Sequence, residues 1–356
     1  MRRAPRSKNS PANLTKMSAS DAVVDAKAFD RAYATLAGLA VGDALGMPTQ
    51  SLTREDIVKD FGELVRDFQP SSPTHPFAAG LAAATVTDDT EQALILADVL
   101  LASFDSFDAE AYARRLLEWE ESVRARGLLD LLGPSTKKAL LNIEEGADLS
   151  ESGLAGVTNG AAMRVAPVGI VCASNNLEAL VARVVEVSAP THNTSVAISA
   201  AAAVAAVVSA GIDGASYAIA IDQGIRAALI GETFGAPSEG PRVAVQIAKA
   251  VELGRSSKGI ALIEAINREI GTSLASNESV PAAFALLAAY GHDSWSACCV
   301  AASLGGDCDT IGAITGAMAG ACGGTESFPS WAVALVEETN SLDLAKVAGE
   351  LLALRR

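Results

Sequence analysis

AKAFDRAYATLAGLAVGDAL, residues 26–45, decides the fold. Its apolar side chains recur at three- and four-residue intervals, the period of a helix with one buried face. Within it Gly38 and Gly42, with Gly46 just beyond, fall four apart on a single helical face. A glycine inside a helix costs about 1 kcal/mol relative to alanine, so three in register require a compensating gain. Close approach of a second helix through a seam without side chains supplies one. The same spacing returns at Gly312, Gly316 and Gly320. The first and last long helices are therefore expected to lie deep and pack tightly, and mutual packing is one way to do so. A helix C-cap is the alternative for Gly46, which is followed by Met47-Pro48.

Helical periodicity continues through Glu91–Ser103, Ala109–Arg126, Leu177–Val187, Val196–Ser209, Arg242–Leu253, Ala282–Ala289 and Ser330–Asn340. Alternation of the strand type is nearly absent, so the expectation is one compact all-α domain spanning residues 22–356. Residues 1–21 are basic, rich in Ser, Asn and Pro, and read as a disordered tail. Polar or Gly/Pro-rich loops are expected at Asp67–Ala79, Glu144–Gly160, Ala189–Ser195 and Gly231–Pro241. Sites on helical scaffolds usually lie in such loops.

Composition narrows the function. Half the residues are apolar, 4% are aromatic, and 27 basic against 42 acidic residues give a net charge of −15. That balance argues against a nucleic-acid partner. The uncharged run 187–212 is interrupted by Pro190, His192 and Asn193 and is rich in alanine, so it reads as a buried helix and not as a membrane span. Five scattered cysteines without CxxC spacing point to a reducing, cytoplasmic setting.

The chemistry concentrates in two acidic clusters. Thr87-Asp88-Asp89-Thr90-Glu91 and Gly305-Gly306-Asp307-Cys308-Asp309-Thr310 each precede an apolar helix. Either alone is explained by capping, Asp88 with Glu91 having the spacing of a capping box, and the helix dipole would hold such carboxylates ionised. Four aspartates with threonine hydroxyls also make an all-oxygen ligand set, suited to Mg²⁺, Mn²⁺ or Ca²⁺. Cys308, a soft atom between hard ones, is expected to point into packing.

GLAVGDALGMPTQ (38–50), TDDTEQAL (87–94), NGAAMRVAPVG (159–169), THN (191–193) and GGDCDTIGAITGAMAG (305–320) together resemble the ADP-ribosylglycohydrolase family, over roughly residues 33–325. The resemblance implies a compact all-α fold with a dinuclear cleft holding two Mg²⁺ or Mn²⁺ ions. Thr87, Asp88, Asp89, Asp307, Asp309 and Thr310 would bind the metals, and Asp88 or Asp309 would handle the water proton. It places Asn159, Gly160, Ala161, Met163 and His192 around the ribose or phosphate groups of the substrate. Arg164 is open to a phosphate or to an internal salt bridge. His75 and His292 are expected at the surface, Trp119 in the core, Glu120 as an acid behind the site, and Glu278 in a structural role.

The expected activity is divalent-metal-dependent hydrolysis of the C1 glycosidic bond of a ribosyl compound. A ribonucleoside N-glycosidase is the alternative, and a catalytically silent member with a binding or structural role is the second. Many members carry a glutamate where this chain has Gln50, which cannot act as a carboxylate base. That departure, with the Gly133-Pro134-Ser135-Thr136 wording, turns the expectation toward small ribosyl substrates. The Pro-rich segment 67–79 is placed to fold over the cleft as a lid.

Overall fold

The computed structural model describes residues 19–127 and 133–356. Its helices are α1 (Ala19–Gly46), α2 (Arg54–Phe61), α3 (Asp88–Ala102), α4 (Ala109–Ala125), α5 (Pro134–Glu144) and α6 (Leu149–Ser152). Next come α7 (Gly160–Met163), α8 (Ala166–Val171), α9 (Leu177–Ser188), α10 (Ser195–Ile212), α11 (Tyr217–Gly231) and α12 (Val243–Ser256). The chain ends with α13 (Gly259–Glu269), α14 (Ser276–Tyr290), α15 (Ser294–Ala301), α16 (Cys308–Gly323), α17 (Ser330–Asn340) and α18 (Leu344–Ala353). Among the described residues β-structure is limited to two isolated bridges, Thr158 with Ala275 and Thr194 with Ala236. The fold is all-α. Helix α1 already covers residues 19–21 of the expected tail, and residues 1–18 lie outside the described residues.

The two glycine stripes pack on each other. α1 and α16 run antiparallel, and a Cβ added at Gly38 or Gly42 would land on the carbonyl of Gly316 or Gly312. Farther along the seam, Gly320 meets Ala34 and Gly46 meets the backbone of Cys308 and Asp309. Gly46 has a right-handed φ of −79° and is there for this close approach, not as a left-handed cap. Antiparallel packing brings the end of α1 beside the start of α16, and so sets Asp43 and Gln50 near the second acidic cluster.

Helix α10 is the other organising element. From Ala197 to Ile212 every residue is buried, against α8, α9, α11 and α16 among others. It is long and apolar enough to cross a membrane, but nearly all of it is packed inside the protein. Its alanines let neighbouring helices approach closely, which is how a chain with so few aromatics still fills its core.

Helices α2, α5, α8, α11, α13, α15 and α18 lie where no helix was expected, α6 falls inside the expected loop 144–160, and α14 begins at Ser276, running through Pro281 where the apolar pattern suggested Ala282. The segment 67–79 is irregular as expected but anchored, with Ser71 N–H donating to Leu81 O at 2.9 Å and His75 buried beneath it.

Candidate active site

The first turn of α3 has free N–H groups that its own residues do not cap. Thr87 is the N-cap, yet its side chain makes no capping bond. Asp43 of α1 does the capping from outside, accepting from the backbone N–H groups of Thr87 (3.0 Å) and Thr90 (3.2 Å). Its carboxylate also accepts from the hydroxyls of Thr87 (2.8 Å) and Thr90 (2.5 Å). Burial pushes the Asp43 pKa up to about 6, against the pull of these donors. Asp43 was missed in the sequence because its partners lie more than forty residues away. Its place within GLAVGDALG was the available signal.

Relieved of capping, Asp88 and Asp89 are free for other work, and Glu91 pairs with Arg126 and Trp119 instead of completing a capping box. On the far side Asp307 is the N-cap of α16, again without a capping bond. Its Oδ2 accepts from Asn159 Nδ2 at 2.5 Å, and Asn159 is steadied by Ser279 at 2.9 Å. The Thr310 hydroxyl reaches toward Asp89 Oδ2 at 3.5 Å, so the two clusters meet although they are far apart in the chain. Asp89 Oδ1 and Asp309 Oδ1 are buried without any hydrogen-bond partner.

Burial works against the ionisation that the helix dipoles are expected to favour in these carboxylates. Burial, reinforced by the neighbouring aspartates, raises Asp88, Asp89 and Asp309 well above the usual carboxylate range. Burial lifts Asp307 to about 6, its hydrogen bonds opposing. Four acids in so little water resist sharing negative charge. A divalent cation is a natural counter-charge for such a cluster, and two of its buried oxygens, Asp89 Oδ1 and Asp309 Oδ1, have no other partner. Among the described residues no group of three or more His, Cys, Asp or Glu side chains is placed to hold a metal ion without contributions from other oxygens.

Asp88, Asp307, Asp309 and Thr310 border a cavity of about 350 Å³. Asn159, Gly160 and Met163 form part of its wall, as do Gly133, Pro134 and Thr136. Thr87, Asp89, Ala161 and His192 do not border it. Thr87 instead faces a separate pocket with Glu91, Arg126 and Asn340. His192 is fully buried behind Gly160, with Nε2 3.0 Å from the Thr158 hydroxyl and Nδ1 2.8 Å from that of Thr191. Burial, with the Arg164 charge nearby, drives its pKa well below normal, so it is a neutral ring that props the loop.

Arg164 is buried and turned away from the cavity, donating to Gln92 Oε1 at 2.7 Å and to the Thr191 hydroxyl, above the Tyr112 ring. Gln92 in turn reaches Asp88 Oδ2 at 3.4 Å. Arg164 therefore meets neither alternative offered by the sequence. His75, expected at the surface, is buried, while His292 is exposed against Tyr217. Trp119 is in the core, Glu120 pairs with Arg124 away from the cavity, and Glu278 accepts from Ser273 N–H in a local turn. Cys308 packs inward and accepts from Gly305 N–H.

An all-helical body thus brings carboxylates from the starts of two helices distant in sequence to one cleft. The chain belongs to the ADP-ribosylglycohydrolase family, whose profile matches residues 24–356. It is 32% identical to the uncharacterized protein YegU of Escherichia coli (strain K12), covering 92% of this chain and 98% of that one. It is 30% identical to the ADP-ribosylarginine hydrolase Tri1 of Pseudomonas putida (strain GB-1), covering 85% of this chain and 73% of the other. A solved ADP-ribosylglycohydrolase-related protein complex superimposes with a TM-score of 0.69 at 26% identity, over 93% of this chain and 100% of its own. The protein is an enzyme of the glycoside hydrolase type.

Proposed function

We propose that the protein is a divalent-metal-dependent hydrolase that cleaves the C1 glycosidic bond of a ribosyl or ADP-ribosyl compound. The observation that carries this reading is the pair of orphaned, buried oxygens, Asp89 Oδ1 and Asp309 Oδ1, among carboxylates not spent on capping. Asp88, Asp307, Asp309 and Thr310 would hold two Mg²⁺ or Mn²⁺ ions from the cavity side, with Asp89 and Thr87 supporting them from behind. Bound there, such ions would hold the ribose hydroxyls and supply a water of lowered pKa.

The chain's own residues do the rest. Asp88, at the start of α3, and Asp309, in the first turn of α16, both border the cleft, and one of them takes the proton of the water that attacks C1. Asn159 fixes the Asp307 carboxylate, and with Gly160 and Met163 borders the space for the sugar. His192 supports that loop through Thr158. The leaving group departs with a proton, and water completes the new bond at C1. The acidic surface fits a small substrate better than a nucleic acid, and five free cysteines fit a reducing cytoplasm.

Metal analysis after dialysis against Mn²⁺, beside release of ribose or ADP-ribose, tests the proposal. Two ions per chain are expected, with neither ion nor activity in Asp309→Asn. Full activity in excess chelator would sink it.

A further inference from the structure

Gln50 borders the same cavity as Asp88, Asp307 and Asp309 and is 8% exposed. Its amide nitrogen Nε2 is buried without a hydrogen-bond partner. Two N–H donors stripped of water and left unmet are unfavourable, so they mark a place where an acceptor is missing.

The backbone around this amide is pinned on three sides. The Thr49 hydroxyl donates to Ala302 O at 2.7 Å, and Ser51 N–H to Gly306 O at 2.7 Å. His75 Nδ1 accepts from Phe77 N–H (3.2 Å) and Ala78 N–H (3.0 Å), which leaves the ring proton on Nε2. That Nε2–H donates to Gln50 O at 3.0 Å. Phe77, which also borders the cavity, is thereby tied to Gln50 through one imidazole. The wall they form is a fixed one. Pro134, Met163 and Leu274 also line the cavity, beside the polar Thr136 and Lys137. The cavity thus combines carboxylates, apolar side chains and the unmet donor pair of Gln50.

A sugar rich in hydroxyls suits the carboxylates. The apolar side chains with the Gln50 donors suit a flat group with an acceptor on its edge. A guanidinium has five donors and no acceptor, so it leaves the Gln50 donors unmet. We propose that Gln50 and Phe77 form the leaving-group subsite, built for a neutral planar heterocycle that presents a carbonyl oxygen or unprotonated ring nitrogen. The substrate class is then a ribonucleoside-like N-riboside, not an arginine-linked ADP-ribose. This assignment rests on reading the site as a ribosyl C1 hydrolase. In the reaction the C1–N bond breaks, water oxygen bonds to C1, and the departing nitrogen acquires the proton. As the bond breaks, negative charge spreads onto the heterocycle's carbonyl oxygen, where the Gln50 N–H group donates. The contact strengthens toward the transition state and acts on kcat.

The test compares uridine, inosine and an ADP-ribosyl-arginine peptide with Mn²⁺, for the wild type, Gln50→Leu, Gln50→Glu and Phe77→Ala. The wild type should show the higher kcat/KM on the nucleosides. Gln50→Leu should lower kcat on them roughly 10–100-fold, and Phe77→Ala should mainly raise KM. Gln50→Glu should shift the ratio toward the arginine conjugate. Calorimetric binding of free hypoxanthine, in chelator, should weaken about tenfold or more in Gln50→Leu and Phe77→Ala. Melting curves of each variant show that it folds. Faster cleavage of the arginine conjugate by the wild type overturns the assignment and leaves the hydrolase reading standing. So does unchanged hypoxanthine binding in folded Gln50→Leu. Cleavage of none of the three substrates overturns both.

Discussion

Asp307→Asn separates the cost of a buried acid from its use. In the metal-free protein burial holds the Asp307 pKa near 6, above its ordinary value of 3.8. The folded state thus binds this proton more tightly than the unfolded state. Its stabilising effect is fully present below about pH 4 and is lost as pH rises through 6. The melting temperatures of the wild type and Asp307→Asn, both in chelator, should coincide near pH 4. Above pH 6 the variant should be the more stable, by on the order of 1–3 kcal/mol. Added Mn²⁺ should raise the wild type by a few degrees and leave the variant unmoved, because only a native site binds the ion. A wild type that gains on the variant as pH rises would refute the carboxylate strain. At this scale the sequence displayed the aspartates and threonines but not their division of labour. Asp43, Gln92 and Ser279 act through contacts across 44, 72 and 120 residues, and spacing carries no trace of such distances. His192 was legible as a residue of interest but its burial was not, and His75, expected at the surface, is buried.

Among the elements, the α1–α16 seam was the most legible. Glycines repeating every four residues have few other uses in a helix, and here both stripes find each other. Gly316→Leu should destabilise by about 3 kcal/mol or more, since the position faces the Gly38 backbone with no space for a side chain. Gly349→Ala is the contrast. There a Cβ meets Phe29 at an ordinary 3.4 Å, so the helix-propensity gain of up to about 1 kcal/mol should survive. Equal melting temperatures for the two variants would mean that the seam is loose. Of the helices the sequence did not announce, the eight-residue α15 is apolar nearly all round, so periodicity gives no signal there and packing stabilises it. The 67–79 segment was legible as a loop, but the His75 bridge makes it a wall where a lid was expected. His75→Ala should therefore raise KM roughly tenfold, with a smaller change in kcat. A fall confined to kcat, at constant KM, would remove the wall from substrate binding.

Across the whole molecule the two chain ends are stitched into one body. α18 packs on α1, and beyond it Arg355 donates to the carbonyls of Gly169 (2.9 Å), Ile170 (2.6 Å) and Cys172 (2.8 Å) while pairing with Asp213. Its side chain is only 11% exposed, so its removal leaves several carbonyls around α8 and α10 short of a donor. Each such buried orphan costs about 1–3 kcal/mol. Because the cleft is made by the end of α1, the starts of α3 and α16, and the loop before α7, loss at the C-terminus should reach the site through the frame. Arg355→Ala should lower the melting temperature by several degrees, and the transition should remain single. Helix content and tryptophan fluorescence should change together, since Trp119 lies in α4 while Trp295 of α15 and Trp331 of α17 cluster with Phe68. If fluorescence and helix content instead melted apart, the chain would contain two separately folding units, and the α1–α16 seam could not be what holds the active site together.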